Sequence, residues 1–306
     1  MDIEITLQKF CDHSSFIKGY SKDTIRRYKY VINFYRKFAG ISEIGQVTDD
    51  NVRNLFYFGR TERKWSVNTY IVYRKSLLVF FRWCIKQGYL EKNPVTDIET
   101  PRLEKMLPAK LTKQTTLRLL EIAYNYPYKY NFLRYRNHAI FSTFIFAGLR
   151  KQELLNLKFA DVDIENLSIF VRQGKGNKDR IIPMSYTLAQ SLKKYQDERK
   201  KLNKTNPEFF SSSSANMGFT ENGLKKLVEL IRKSSGIVFT IHKLRHTFAT
   251  LMLEGGCDIF SLSKMMGHSD IKTTTIYLAA SAEHLRSQMT KHPLNDLGMV
   301  RGQIYT

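Results

Sequence analysis

Between Asp97 and Leu111 the sequence sets Pro101 and Pro108 among Arg102, Glu104, Lys105 and Lys110, shortly after Asn93-Pro94. Proline lacks a backbone donor and pushes the residue before it out of helical geometry, so no regular helix runs through this stretch. It reads as an extended connection, and it divides a chain whose 306 residues exceed what one hydrophobic core comfortably organises. The expected layout is a domain over residues 1–100, a linker over 101–111, a second domain over 112–292 and a tail over 293–306.

Upstream of this break the apolar residues recur with the helical period. Ser21 is placed to cap a helix on which Ile25, Tyr28, Val31, Ile32, Tyr35 and Phe38 share a face, and Gly40 ends it. Thr48, with Asp49 and Asp50 in the first turn, starts a helix to about Phe58; Ser66 to Gln87 forms another, closing at Gly88. Downstream, Thr112–Tyr124, Arg136–Ala147 and Lys151–Leu157 read as helices. The period then changes: Leu167–Arg172 and Arg180–Pro183 are strand-like runs around Gly174-Lys175-Gly176-Asn177-Lys178, a hairpin signature. From Ser185 to about Lys291 helices return. The fold class expected is mainly α, with a helical first domain and a mixed, mostly helical second domain holding a small β-hairpin.

Lys and Arg number 49 against 28 Asp and Glu, a net charge of +21 that makes a compact chain repel itself unless an anionic partner is present. Residues 1–100 carry 17 basic and 11 acidic side chains and the rest 32 and 17, so both domains are suited to face one polyanion. Nucleic acid is the leading partner, ahead of an anionic membrane surface. The longest apolar runs, Leu77–Ile85 and Ala139–Leu149, fall short of the roughly 20 residues of a membrane span. The start, MDIEITLQKF, shows no apolar run behind a basic end, which predicts no secretory leader and a cytoplasmic protein. Cys11, Cys84 and Cys257 are far apart and odd in number, as expected of reduced packing thiols.

Four segments place cationic or proton-handling side chains at structural breaks: AGLRKQEL (147–154), QGKGNKDR (173–180), HKLRHTF (242–248) and MGHSDIKTTTIY (266–277). Arg150 follows a Gly-Leu break at a helix start, where free backbone N–H groups and a guanidinium both address a phosphate oxygen, and Glu153 is spaced to orient a nearby cation. Lys175 sits between two glycines at a hairpin tip, with Lys178 and Arg180 as expected phosphate contacts in the same loop. His242 and Arg245 stand three residues apart on one helix face, so the guanidinium favours a neutral imidazole able to accept a proton. His246 points about 100° away from Arg245 and reads as a structural histidine. His242 and His246 have helical metal-ligand spacing, but there is no acidic residue between them and no third ligand nearby, so no metal is expected. His268 follows Gly267, and Tyr277 comes nine residues later after a threonine-rich turn. A phenol with a pKa near 10 is a poor nucleophile at neutral pH unless cations stabilise its phenolate.

In this order Arg150, Lys175, His242, Arg245, His268 and Tyr277 resemble the catalytic pattern of the tyrosine recombinase (phage integrase) family, over about residues 110–290. The resemblance implies DNA cleavage and rejoining through a 3′-phosphotyrosyl link at Tyr277, with neither cofactor nor metal. It further implies that Arg150 and Arg245 bind the scissile phosphate, that His268 donates to it, and that Lys175 is the general acid. His242 would be the general base or proton relay, with Glu153 supporting the pocket. The helical first part is compatible with the family's DNA-clamping core-binding domain. Ile241 stands where the family often has Pro and Met266 where it often has Leu, both at packing positions.

Residues Ser281–Lys291, with an apolar stripe of Leu285 and Met289, resemble the terminal helix with which family members dock onto a neighbouring subunit. That implies double-stranded DNA and a homo-tetramer as partners, with room for an accessory protein. The size is closest to Xer-type resolvases or compact integrases of mobile elements. Type IB topoisomerases share a similar pocket, and a DNA-binding protein that has lost catalysis is the non-enzymatic alternative.

Overall fold

The computed structural model describes residues 1–102, 109–172, 179–268 and 270–280. The chain divides into two compact units, Met1–Lys105 and Met106–Thr306.

The first unit is built from α1 (Ile3–Asp12), α2 (Lys22–Ala39), α3 (Asp49–Thr61) and α4 (Val67–Lys86). The expected caps are in place: Ser21, Thr48 and Ser66 each accept a hydrogen bond from a first-turn N–H, and Gly40 closes α2 in the left-handed conformation. Each such N-cap is worth about 1 kcal/mol. The apolar faces meet in a core rich in aromatic rings, among them Phe10, Tyr35, Phe80 and Phe81, all at most 2% exposed. Residues 93–99 pack onto this unit: Val95 and Ile98 join its core, Arg74 donates to the carbonyls of Thr96 and Ile98, and Tyr70 donates to that of Glu99. The start of the stretch expected to be an extended connection is therefore tied down, because α4 supplies donors for its carbonyls.

The second unit contains α5 (Lys113–Asn125), α6 (Asn131–Phe146), α7 (Lys151–Asn156), β1 (Val162–Asp163), β2 (Ser168–Val171), β3 (Arg180–Pro183), α8 (Tyr186–Lys201), α9 (Glu221–Ser235), α10 (Ile241–Glu254), α11 (Ile259–Met266) and α12 (Lys272–Ala280). Helix α6 is buried on all sides from Ala139 to Ile145, the mark of a central helix, and it packs against α5, α8 and α10. The strands form an antiparallel sheet in the order β1-β2-β3, with Ile169 opposite Ile182 and Val171 opposite Arg180. The expected hairpin runs are thus paired, and β1 is a third strand that its two-residue length kept from view in the sequence. The hairpin tip with Lys175 and Lys178 lies outside the described residues, as do Ser281–Lys291 with Leu285 and Met289 and the tail over 293–306.

Helix α10 links the core to the site. One side carries Leu244 into the main core; another carries Phe248, Ala249 and Leu253 into a separate cluster with Leu262, Met266 and Tyr277. Among the described residues no helix is long and apolar enough to cross a membrane.

Candidate active site

The Gly148-Leu149-Arg150 break fixes the first cation. Gly148 has φ of +60°, and a Cβ there would come within 2.2 Å of the Phe248 ring, so only glycine lets the chain pass so close to α10. The turn leaves Arg150 as the residue before α7. Its backbone N–H donates to Glu153 Oε2 at 2.8 Å and its Nη1 to Glu153 Oε1 at 2.7 Å, while Nη2 reaches the carbonyl of Gly267 at 2.8 Å. The backbone N–H expected to be free for a phosphate is thus occupied by Glu153, and the guanidinium is the part of Arg150 left to face a ligand.

Arg180 departs from the sequence expectation of a phosphate contact. Its Nη1 and Nη2 each donate to Glu153 at 2.8 Å and its Nε donates to the Met265 carbonyl at 2.7 Å, with the side chain 9% exposed. Residue alternation along β3 turns it inward, beneath the site, where it supports Glu153 and α11. Gly267, at φ +61°, admits it: a Cβ there would lie 2.9 Å from Arg180 Nη1.

Arg245, on α10, is 6% exposed. It donates from Nη1 to the Gly148 carbonyl at 2.5 Å and from Nη2 to the Met266 carbonyl at 2.6 Å, and Nη2 lies 3.3 Å from His268 Nε2. His268 is held through Nδ1, 2.7 Å from Thr274 Oγ1. Tyr277 is 2% exposed and its hydroxyl lies 2.8 Å from His246 Nδ1. Tyr277 sits within α12; the threonines before it, expected as a turn, are helical, and Thr274 points inward as the brace for His268.

The electrostatics follow from burial. Desolvation would raise the Glu153 carboxyl, but the hydrogen bonds and charge of Arg180, then Arg150, outweigh it and hold the group at about 2. Burial, then the like charge of Arg150, lowers Arg245 to about 10, still a cation at neutral pH. Burial raises the Tyr277 phenol, and Arg245 and Arg150 only partly offset it. The arginines therefore do not by themselves turn Tyr277 into a phenolate.

Of the residues singled out in the sequence, the fold brings together Arg150, Glu153, Arg180, Arg245, His268 and Tyr277 from α7, β3, α10, the loop after α11, and α12. His242 lies in the first turn of α10 and is exposed, and it makes no hydrogen bond to Tyr277 among the described residues. His246, read as structural, is the histidine at the Tyr277 hydroxyl. Its sequence signals were its adjacency to Arg245 and its one-turn spacing from His242 on the same helix, and neither pointed to Tyr277. Among the described residues no group of three or more His, Cys, Asp or Glu is arranged to hold a metal ion.

Comparison with known proteins agrees with this geometry. The Phage integrase family model matches residues 109–284, and the Phage integrase, N-terminal SAM-like domain model matches 7–91. A tyrosine recombinase XerC from Oceanobacillus iheyensis is 30% identical over 302 residues, covering 95% of this chain and 97% of that protein. A tyrosine recombinase XerD from Listeria monocytogenes is 33% identical over 270 residues, covering 85% and 89%. In fold, a XerH site-specific recombinase bound to a palindromic difH substrate aligns with a TM-score of 0.71 at 23% identity, covering 93% of this chain and 83% of that one. The Tn1549 transposon integrase in complex with transposon right end DNA aligns with a TM-score of 0.71 at 21% identity, covering 94% and 98%. Matched along both units, and with Arg150, Arg245, His268 and Tyr277 of the motif gathered in one pocket, the chain belongs to the phage integrase family and is a site-specific tyrosine recombinase.

Proposed function

We propose that the chain binds double-stranded DNA and that Tyr277 attacks the scissile phosphodiester, leaving a 3′-phosphotyrosyl link and a free 5′ hydroxyl. The observation that carries this reading is the convergence of Arg245, His268 and Arg150 around the backbone of Gly148 and Gly267, next to the only tyrosine of the 266–277 motif. Arg150 and Arg245 hold the non-bridging oxygens and stabilise the charge of the five-coordinate transition state, and His268 donates alongside them. Preset donors of this kind act without reorganising during the reaction. Lys175 protonates the departing 5′ oxygen, and exposed His242 relays protons between the site and water. The phosphotyrosyl bond conserves the energy needed for religation.

DNA contact and multimeric assembly are supported by the relatives, whose solved structures include a lambda integrase tetramer bound to a Holliday junction. Residues 281–291 are proposed as the helix that docks onto a neighbouring subunit on paired sites. An accessory protein is compatible with this assembly. No observation favours site-independent relaxation of the type IB topoisomerase kind.

The test is a nicked duplex carrying the recombination site, incubated with the protein and resolved on a denaturing gel. A covalent protein–DNA adduct is expected. A Tyr277→Phe protein that still forms the adduct would overturn the assignment.

A further inference from the structure

The residue at the Tyr277 oxygen is His246. Its Nδ1 lies 2.8 Å from the hydroxyl, and the two rings sit 5.6 Å apart at 49°. Nothing in the pocket lowers the Tyr277 phenol below its ordinary range, so attack on phosphorus needs an acceptor for the phenolic proton. Arg150 and Arg245 are donors, not acceptors, and His268 Nδ1 is engaged with Thr274. His246 is half-buried, and burial, then His242 and Arg245 on its own helix, disfavour its charged form. From α12 it meets Tyr277. It is therefore neutral at pH 7, and with Tyr277 as donor its Nδ1 carries the lone pair and Nε2 the hydrogen.

We propose that His246, one turn beyond the histidine of the family pattern, is the group that takes the Tyr277 proton during cleavage, a role that rests on Tyr277 being the nucleophile. As the tyrosine oxygen bonds to phosphorus, its O–H bond breaks and the proton passes to His246 Nδ1. The bond from phosphorus to the 5′ oxygen breaks, and that oxygen takes its proton from the general acid. The imidazolium left on His246 lies beside Arg245 and His242, which favour its return to neutrality, and religation runs the transfer in reverse. The spacing of α10 makes this possible: Arg245 and His246 diverge by about 100°, so one addresses the backbone of the phosphate pocket and the other the tyrosine.

The experiment is single-turnover adduct formation by the full chain on the nicked duplex from pH 5 to 9. His246→Asn keeps an oxygen near the Nδ1 position, so it holds the hydroxyl but takes no proton. Its cleavage rate should fall about 100-fold near pH 7. The rate should recover as pH approaches the ionisation of the phenol itself, while affinity for the duplex is unchanged. The wild-type rate should rise through an inflexion below pH 6.5, and His246→Asn should lack it. A variant that cleaves at the wild-type rate, or faster, overturns the proposal; the faster result means that the contact only restrains an idle hydroxyl. An inflexion that His246→Asn keeps at the same pH as the wild type also overturns it. Adduct formed by Tyr277→Phe would instead sink the nucleophile assignment, a separate outcome.

Discussion

Arg180 and Arg150 grip the same carboxylate: each donates to Glu153 Oε1, at 2.8 and 2.7 Å, and Arg180 adds a second bond to Oε2 at 2.8 Å. Through Glu153, Arg180 braces the carboxylate that also holds Arg150. Arg180→Gln, which carries no charge and cannot make the two-point contact, is expected to slow adduct formation about tenfold or more. The slope of binding affinity against salt should stay as in the wild type, because no phosphate contact is lost. A slope shallower by about one, with cleavage of the bound complex intact, would return Arg180 to the DNA surface.

Glu153 ties this network to acid stability. Its carboxyl is held at about 2, below the 4.5 of an ordinary glutamate, so the folded state favours the charged form. The stabilisation is fully present above the unfolded value and is lost as pH falls toward the folded one. Wild-type unfolding free energy should therefore drop between about pH 5 and pH 2, by on the order of 3 kcal/mol from this group. Chemical denaturation of wild type and Glu153→Gln across that range checks this. The variant should be less stable at pH 7, and the gap should close toward pH 2.

The two positive-φ glycines of the site are expected to differ in tolerance. Gly148→Ala drives a methyl into the Phe248 ring, whereas Gly267→Ala meets the flexible end of Arg180. Both carry the left-handed strain of about 1–2 kcal/mol, and Gly148→Ala adds a ring displacement that α10 cannot absorb. Thermal unfolding should rank Gly148→Ala as the less stable, and Gly267→Ala should fold yet cleave slowly, since the Gly267 carbonyl orients Arg150.

Lys175 is tested through its chemistry. On a substrate whose leaving 5′ oxygen is replaced by sulfur, which departs without a proton, Lys175→Ala should regain most of the rate that it loses on the normal duplex. Equal impairment on both substrates would exclude it as the general acid.

Removing residues 281–306 should leave binding to a single site in place and impair synapsis of two sites and strand exchange. Gel-shift and two-site recombination assays separate these steps. Full strand exchange by the truncated protein would count against docking through this segment.

Much of this was legible in the sequence where one residue type meets one physical demand. Ser21 and Gly40 bracket α2 because a helix start needs an acceptor and its end a left-handed residue. Arg150, Arg245 and His268 were legible through their order along the chain. What was not legible depended on which way a side chain turns in three dimensions. Arg180 reads as a loop cation until the register of β3 aims it at Glu153. His242 and His246 lie one turn apart on α10, and only the packing of α12 decides which reaches Tyr277. The threonines of 273–275 resemble a turn by composition, yet tertiary packing makes them helical.

The arginine contacts also set a charge count. Arg150, Arg180 and Arg245 are matched, among the described residues, by the one carboxylate of Glu153, and the carbonyls of Gly148, Met266 and Gly267 that accept from Arg150 and Arg245 carry no formal charge. The centre thus holds a surplus of about two positive charges before DNA arrives. A phosphodiester in the ground state carries a single negative charge and under-neutralises that surplus, whereas the five-coordinate state reached during attack carries two and balances it. Attraction between pocket and substrate grows as the reaction advances, so the pocket favours the species it must stabilise over the one it first meets.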